Sequence, residues 1–242
     1  METTTSIIQK IGATKAIVAD GDRTLWRGNV AESMGKMYLK REYDALRLLR
    51  PSTYHHANAL AAGIIGYMKV KRVERQNEET GEGTGLKIFY DALISNGLGT
   101  KNDMMAHANN FFPSHENKYM ISLVTFDARR PSFLATRGGS TTSAMAVARY
   151  GMTDGVWNID QFHENGRLKG IEIVITDGEK KLSKTSDMLR KYGIRIEECT
   201  VIGDSKADIP LMYYARLSIA SPYATEEVNR IAKIRMSAII PS

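Results

Sequence analysis

Cysteine is nearly absent. Cys199 stands alone among 242 residues, so no internal disulfide can form, and a reducing, cytoplasmic setting is the expectation. Nothing in the sequence places a histidine beside it, which makes it a packing residue rather than a nucleophile. Long apolar runs are missing too: none approaches the roughly 20 residues that cross a bilayer. The opening METTTSIIQK has neither the basic start nor the apolar stretch of a secretory leader. No membrane partner is expected. Also lacking is a dense basic tract interleaved with aromatics, as a nucleic-acid groove would favour. The net charge of +6 is scattered, with only short clusters such as KVKRVER and GEKKLSK. That reads as a mildly basic, solvated surface compatible with a small anionic ligand, and nucleic acid is not expected. There is no internal repeat and no low-complexity tract. What remains, 43% hydrophobic and 25% charged, is an ordinary globular composition at a length suited to one large domain or two modest ones.

Residues 15–20 read as a buried strand running into a polar turn. Helical spacing follows in VAESMGKMYLKREYDALRLLR, with apolar positions at Met34, Met37, Tyr38, Ala45, Leu46 and Leu49. Pro51 interrupts it, and STYHHANALAAGIIGYMKVKRVE resumes the pattern with Ser52 or Thr53 as a cap. RQNEETGEGTG is polar and glycine-rich, a solvated loop over 76–85. Helical spacing returns in LKIFYDALISNGLG and KNDMMAHANNFF, so 27–112 forms an all-helical block.

After Pro113 the pattern alternates. A helix is expected over 114–127, then a strand in SFLAT and a helix in TTSAMAVARYG stopped by Gly151. Two extended runs in VWNIDQFHENGRLKGIEIVIT are joined at Asn165-Gly166 as a hairpin. A helix over 182–192 stops at Gly193, followed by the strand CTVIGD, a helix near 208–216 and the strand RLSIA. Strands alternating with helices imply a parallel sheet, opened after its first strand by the helical insertion.

In such sheets ligands bind at the carboxyl ends of the strands. Three expected strands end in residues suited to the same chemistry. They are Asp20 and Asp22 after AIVA, Thr136 in FLATRGG, and Asp204 and Asp208 in VIGDSKAD. An unpaired buried carboxylate is costly, so two aspartates ending an apolar strand need a reason. Carboxylates from two strand ends can meet around Mg²⁺, a hard cation that takes oxygen ligands. A hydroxyl beside glycine-flanked N–H groups at a helix start suits phosphate oxygens, and a lysine from GEKKLSK would add positive charge.

With these residues in order, the sequence resembles the haloacid dehalogenase-like (HAD) superfamily, closest in layout to its phosphoserine-phosphatase-like branch. DGDRT matches D-x-D-x-T, LAT followed by RGG matches the second motif, and GDSKAD matches G-D-x-x-x-D. Lys181, about a dozen residues before Gly193, fits the third motif, flanked by Lys180 and Lys184. The departure is Arg23, where Gly or Ser is common. The resemblance implies an α/β fold with a Rossmann-like parallel-sheet core over 1–26 and 113–242 and a helical cap domain over 27–112. It further implies Asp20 as nucleophile and Asp22 as proton shuttle. Asp20, Asp204 and the Asp22 backbone carbonyl would hold Mg²⁺, and Asp208 would bind or orient the metal shell and the lysine. Thr136 and Lys181 would steady the phosphoryl group. The implied activity is a Mg²⁺-dependent phosphomonoesterase acting on a small phosphorylated metabolite, with phosphoserine-like substrates included. A phosphotransferase, a nucleotide or lipid phosphatase, and a silent binding protein remain as alternatives, and the oligomeric state is open. Elsewhere the expectations are plainer. His55 and His56 are read as solvated or capping, since helical neighbours point about 100° apart. Met34, Met37, Met104 and Met105 are read as core. Arg23 is read as facing solvent, and Arg27 and Glu32 as lying where a cap would meet the site without touching substrate.

Overall fold

The computed structural model describes residues 3–46, 61 and 84–236. Apart from Ala61, the expected helical segment over 52–74, its break at Pro51, His55 and His56, and nearly all of the 76–85 loop lie outside the described residues.

The chain begins with helix α1 (Thr4–Gly12), which is not among the elements expected from the sequence. Thr3 caps it by accepting from the Ser6 N–H, and Ile7 and Ile11 are its buried face. Strand β1 (Ala16–Ala19) follows, buried at every position. Helices α2 (Val30–Leu46), α3 (Thr84–Ser95) and α4 (Lys101–His115) make up the described part of the helical block. Pro113 sits inside the last turn of α4 instead of ending it. A proline there removes a single backbone donor, and the Ser114 hydroxyl donates to the Asn110 and Phe111 carbonyls close by. The expected 114–127 helix is therefore two pieces, the end of α4 and then α5 (Lys118–Thr125), divided where Asn117 caps the latter.

The remainder alternates as expected: β2 (Ser132–Gly139), α6 (Ser140–Tyr150), β3 (Asp154–Phe162), β4 (Leu168–Glu172), α7 (Gly178–Lys191), β5 (Cys199–Gly203), α8 (Ile209–Tyr214) and β6 (Leu217–Ala220). Two short elements close it, α9 (Glu226–Ile231) and β7 (Ile234–Arg235). β3 and β4 are the expected hairpin, turning through Gly166 at φ 76°, a left-handed conformation that favours glycine.

The strands form one sheet in the order β4-β3-β2-β1-β5-β6-β7, parallel except at the β3–β4 edge. β1 is in the middle, paired with β2 and β5, so helices on both faces bury it. The side-chain alternation of a strand then feeds two cores. Ile17 and Ala19 pack with residues of α1, α4, α5 and α6, while Ala16 and Val18 pack with residues of α7 and α8. A third apolar cluster is separate: Met34 and Tyr38 of α2, Leu86, Phe89, Tyr90 and Leu93 of α3, Met104 of α4, and Leu168 of β4. Cys199 is fully buried at the start of β5, and burial pushes its thiol up to about 12. A thiol so raised is inert near neutral pH.

Candidate active site

Asp20 continues the line of β1, its N–H donating to the Ile202 carbonyl at 2.9 Å, so its carboxyl emerges at the carboxyl edge of the central strand. Lys181 reaches it from the first turn of α7, a helix whose start is fixed by Asp177 accepting the Lys180 N–H. Lys181 Nζ donates to Asp20 Oδ1 at 2.7 Å and to Asp208 Oδ1 at 2.5 Å. Lys180 is exposed, and neither it nor Lys184 lines the site.

Asp208 is held from its other side. Its Oδ2 accepts from the Asp204 and Ser205 N–H groups at 3.1 and 3.0 Å and from the Ser205 hydroxyl at 3.1 Å. This loop folds tightly over Gly203, where a Cβ would lie 2.5 Å from that of Asp208, so no larger residue fits. With four donors on its two oxygens, Asp208 is arranged to orient Lys181 and the loop.

Asp204 differs. It is 5% exposed, and its carboxylate has no hydrogen-bond or ion-pair partner among the described residues. Oxygens of Asp20, Asp204 and Asp208 lie within 4.8 Å of one another. Burial, then the charges of Asp20 and Asp208, push Asp204 well above the usual carboxylate range, with Lys181 and Arg23 opposing. Burial likewise lifts Asp20 to about 6, against the pull of Lys181. For Lys181 burial acts to lower the pKa, but Asp20 and Asp208 outweigh it and hold the ammonium above its ordinary value. Three crowded carboxylates sharing one lysine leave an excess of buried negative charge. An all-oxygen donor set of this kind fits a hard divalent cation.

The Asp22 side chain turns toward the start of α2. It accepts from Trp26 Nε1 and Asn29 Nδ2, both at 2.7 Å, and from the Val30 N–H at 3.1 Å. Asn29 also caps the helix by accepting the Glu32 N–H. Thr136 lies past the apolar part of β2, its hydroxyl accepting from the Gly138 N–H at 3.2 Å. Asp20, Asp22, Thr136, Lys181 and Asp204 all line one cavity of about 550 Å³ at the strand ends. Its walls include Val30, Met34, Leu86 and Tyr90 from α2 and α3.

Some expectations change. Arg23, read as facing solvent, lines the cavity and is only partly exposed, its backbone at φ 61° in the turn that follows Asp22. Met34 is both core and cavity wall, and Met104 is core, whereas Met105 is 38% exposed. Arg27 is exposed, Glu32 pairs with Lys36 at 2.9 Å, and neither lines the cavity. Trp26, Asn29, Ser205 and Arg137 are site residues that the sequence does not single out. Only Asn29 has a local signal, a capping side chain three residues before Glu32.

Comparisons with known proteins agree with this architecture. Residues 162–238, which hold Lys181, Asp204 and Asp208, match the family model of haloacid dehalogenase-like hydrolases. No curated protein matches the chain. Among solved structures, a protein of unknown function from Bordetella pertussis Tohama I is similar with a TM-score of 0.70 at 15% identity, covering 93% of this chain and 99% of that one. A HAD family hydrolase from Salmonella enterica serovar Typhi gives a TM-score of 0.67 at 14% identity, covering 93% and 68%. A phospho-aspartyl intermediate analogue of phosphoserine phosphatase gives 0.66 at 17%, covering 92% and 93%. The chain thus has the fold of haloacid dehalogenase-like hydrolases, and its residues 162–238 match that family's model.

Proposed function

We propose that this chain is a metal-dependent phosphomonoesterase that hydrolyses a small phosphorylated metabolite through an aspartyl-phosphate on Asp20. The observation that carries the reading is the buried, unpartnered Asp204 carboxylate beside Asp20 and Asp208, on a cavity that also holds Lys181 and Thr136. Asp20, Asp204 and the Asp22 backbone carbonyl would hold Mg²⁺. When bound, the ion neutralises the carboxylates and draws charge from the phosphoryl oxygens. Asp208 keeps Lys181 in place, and Lys181 and Thr136 stabilise the charge on the transferring group.

The chemistry divides between two aspartates. A carboxylate oxygen of Asp20 forms a bond to phosphorus as the ester P–O bond breaks, and Asp22 gives its proton to the leaving alkoxide. Water then attacks the acyl phosphate, its proton passes to Asp22, and phosphate leaves with Asp20 restored. Within the segment 27–112, helices α2 and α3 act as a lid, supported by their separate apolar cluster and by the residues they place in the cavity wall. A small substrate, phosphoserine-like esters included, suits that enclosure, and neither nucleic acid nor membrane is required. The test is phosphate release from p-nitrophenyl phosphate. It should be abolished by EDTA, restored by Mg²⁺ and inhibited by Ca²⁺, whose larger coordination number lets a carboxylate bind bidentately and lose its line of attack. Release unaffected by EDTA would overturn the metal-dependent reading.

A further inference from the structure

Arg23 stands in a conformation that any L side chain resists. At φ 61° it is the one non-glycine residue with positive φ among the described residues. The turn is pinned by its N–H donating to the Gly28 carbonyl at 3.2 Å and by the Ser221 hydroxyl donating to its carbonyl at 3.0 Å. Glycine would take this backbone without strain, so the arginine is kept for its side chain. That side chain lines the catalytic cavity, and its guanidinium makes no hydrogen bond or ion pair among the described residues. Its field reaches Asp204 and opposes the upward pressure on that carboxyl.

Arg137, directly after Thr136, is alike: partly exposed, lining the cavity, and without a side-chain partner among the described residues. The other cations there are committed, Lys181 to Asp20 and Asp208, and Lys206 to Glu227 at 3.1 Å. Of the nearby acids, Glu179 is exposed in the first turn of α7, where a negative charge offsets the helix dipole. Two guanidinium groups therefore remain beyond those needed for the transferring phosphoryl group. The wall supplied by α2 and α3 is of another kind. Val30, Met34 and Leu86 are apolar, and the Tyr90 hydroxyl is spent on Asp160 Oδ1 at 2.6 Å, which leaves its ring.

We propose that Arg23 and Arg137 bind a second anionic group, a carboxylate or second phosphate, on a phosphomonoester whose body is apolar. This rests on the phosphomonoesterase reading, but it can be tested without turnover. Binding of 4-carboxybenzylphosphonate and of benzylphosphonate to the Mg²⁺-loaded protein is compared by calorimetry for wild type, Arg23→Gly, Arg23→Lys and Arg137→Ala. Wild type should prefer the carboxylate-bearing ligand by about tenfold or more, as one or two charge-assisted hydrogen bonds provide. Arg23→Gly should cut that ratio below about threefold, with a melting temperature equal to or above wild type because glycine relieves the turn. Arg137→Ala should narrow the ratio, and Arg23→Lys should retain part of it. Equal binding of the two phosphonates by wild type, or an unchanged ratio in Arg23→Gly, overturns the proposal. Hydrolysis of the two matching esters is followed in parallel. A binding preference without hydrolysis overturns the phosphomonoesterase reading and supports this one, and hydrolysis of both without preference does the reverse.

Discussion

At the scale of the residue, the sharpest expectation concerns Asp20. Asp20→Asn keeps volume and shape while removing the attacking oxygen, so turnover should fall below about one per cent, on the order of 3 kcal/mol of barrier. Circular dichroism should show the fold intact, and beryllofluoride should bind wild type with Mg²⁺ and not the variant. Retained activity would move the nucleophile elsewhere. The same carboxyl sets a pH signature. Its pKa is raised from 3.8 to about 6 by burial, with Asp204 raised also, so the metal-free folded state binds more protons than the unfolded chain. Stability in EDTA should therefore be fully present below about pH 4 for these groups and be lost as pH rises through about 6. Mg²⁺ competes with those protons. The rise in melting temperature on adding it should be larger at pH 7.5 than at pH 5, and a smaller rise at the higher pH would count against the site.

At the scale of the element, two side-chain bonds hold the segments around the cavity: Trp26 to Asp22 in the loop before α2, and Tyr90 of α3 to Asp160 of β3. Trp26→Phe removes the indole donor from Asp22 while keeping an aromatic ring against Phe112, whose centroid lies 5.0 Å from that of Trp26. We expect kcat to fall roughly tenfold, the scale of one charge-assisted hydrogen bond, with a smaller change in KM. A change confined to KM would show that the bond does not serve proton transfer. Tyr90→Phe leaves the buried Asp160 Oδ1 without the phenol, a cost of about 1–3 kcal/mol readable in urea denaturation. No loss of stability would show that water replaces the hydroxyl.

Elements are legible in the sequence where a local pattern suffices. AIVA and CTVIG are apolar runs cut off by carboxylates, because a central parallel strand buries both faces until it reaches its functional end. Asn165-Gly166 marks the hairpin for the same local reason. Helix α1 is harder to see, because its apolar face is short: the buried Ile7 and Ile11, four apart, with Ile8 packed beside them. Pro113 looks like a boundary, yet one lost donor in a last turn does not end a helix. The carboxylates and Lys181 are legible for their chemistry. Trp26, Ser205 and Arg137 are not, because their roles come from chain segments that meet only in the folded state.

For the whole molecule, the carboxyl edge of the sheet and residues of α2 and α3 line a cavity of about 550 Å³, a size typical of small-molecule sites. A small phosphorylated metabolite should be favoured over a phosphopeptide or a 3′-phosphorylated oligonucleotide by at least about a hundredfold in kcat/KM, near 3 kcal/mol. Steady-state kinetics on the three classes decides it. Comparable efficiency on either macromolecule would mean that the helical block does not enclose the substrate.

The placement of β1 also has a consequence in time. Ile17 pairs with Ser132 on one side and with Thr200 on the other, so the strand that ends at Asp20 is made before both neighbours and waits for them. At about 5–20 residues per second, β5 follows β1 by roughly ten to forty seconds of synthesis. Ala16–Ala19 is an apolar strand with two open edges until β2 is made and one until β5 follows, the kind of segment that pairs wrongly or aggregates. The pairings that bring Asp20 to Asp204 close large loops, and contacts of that span slow folding. A truncated chain ending before β5 would carry the first motif complete and leave the central strand of its sheet as an open edge.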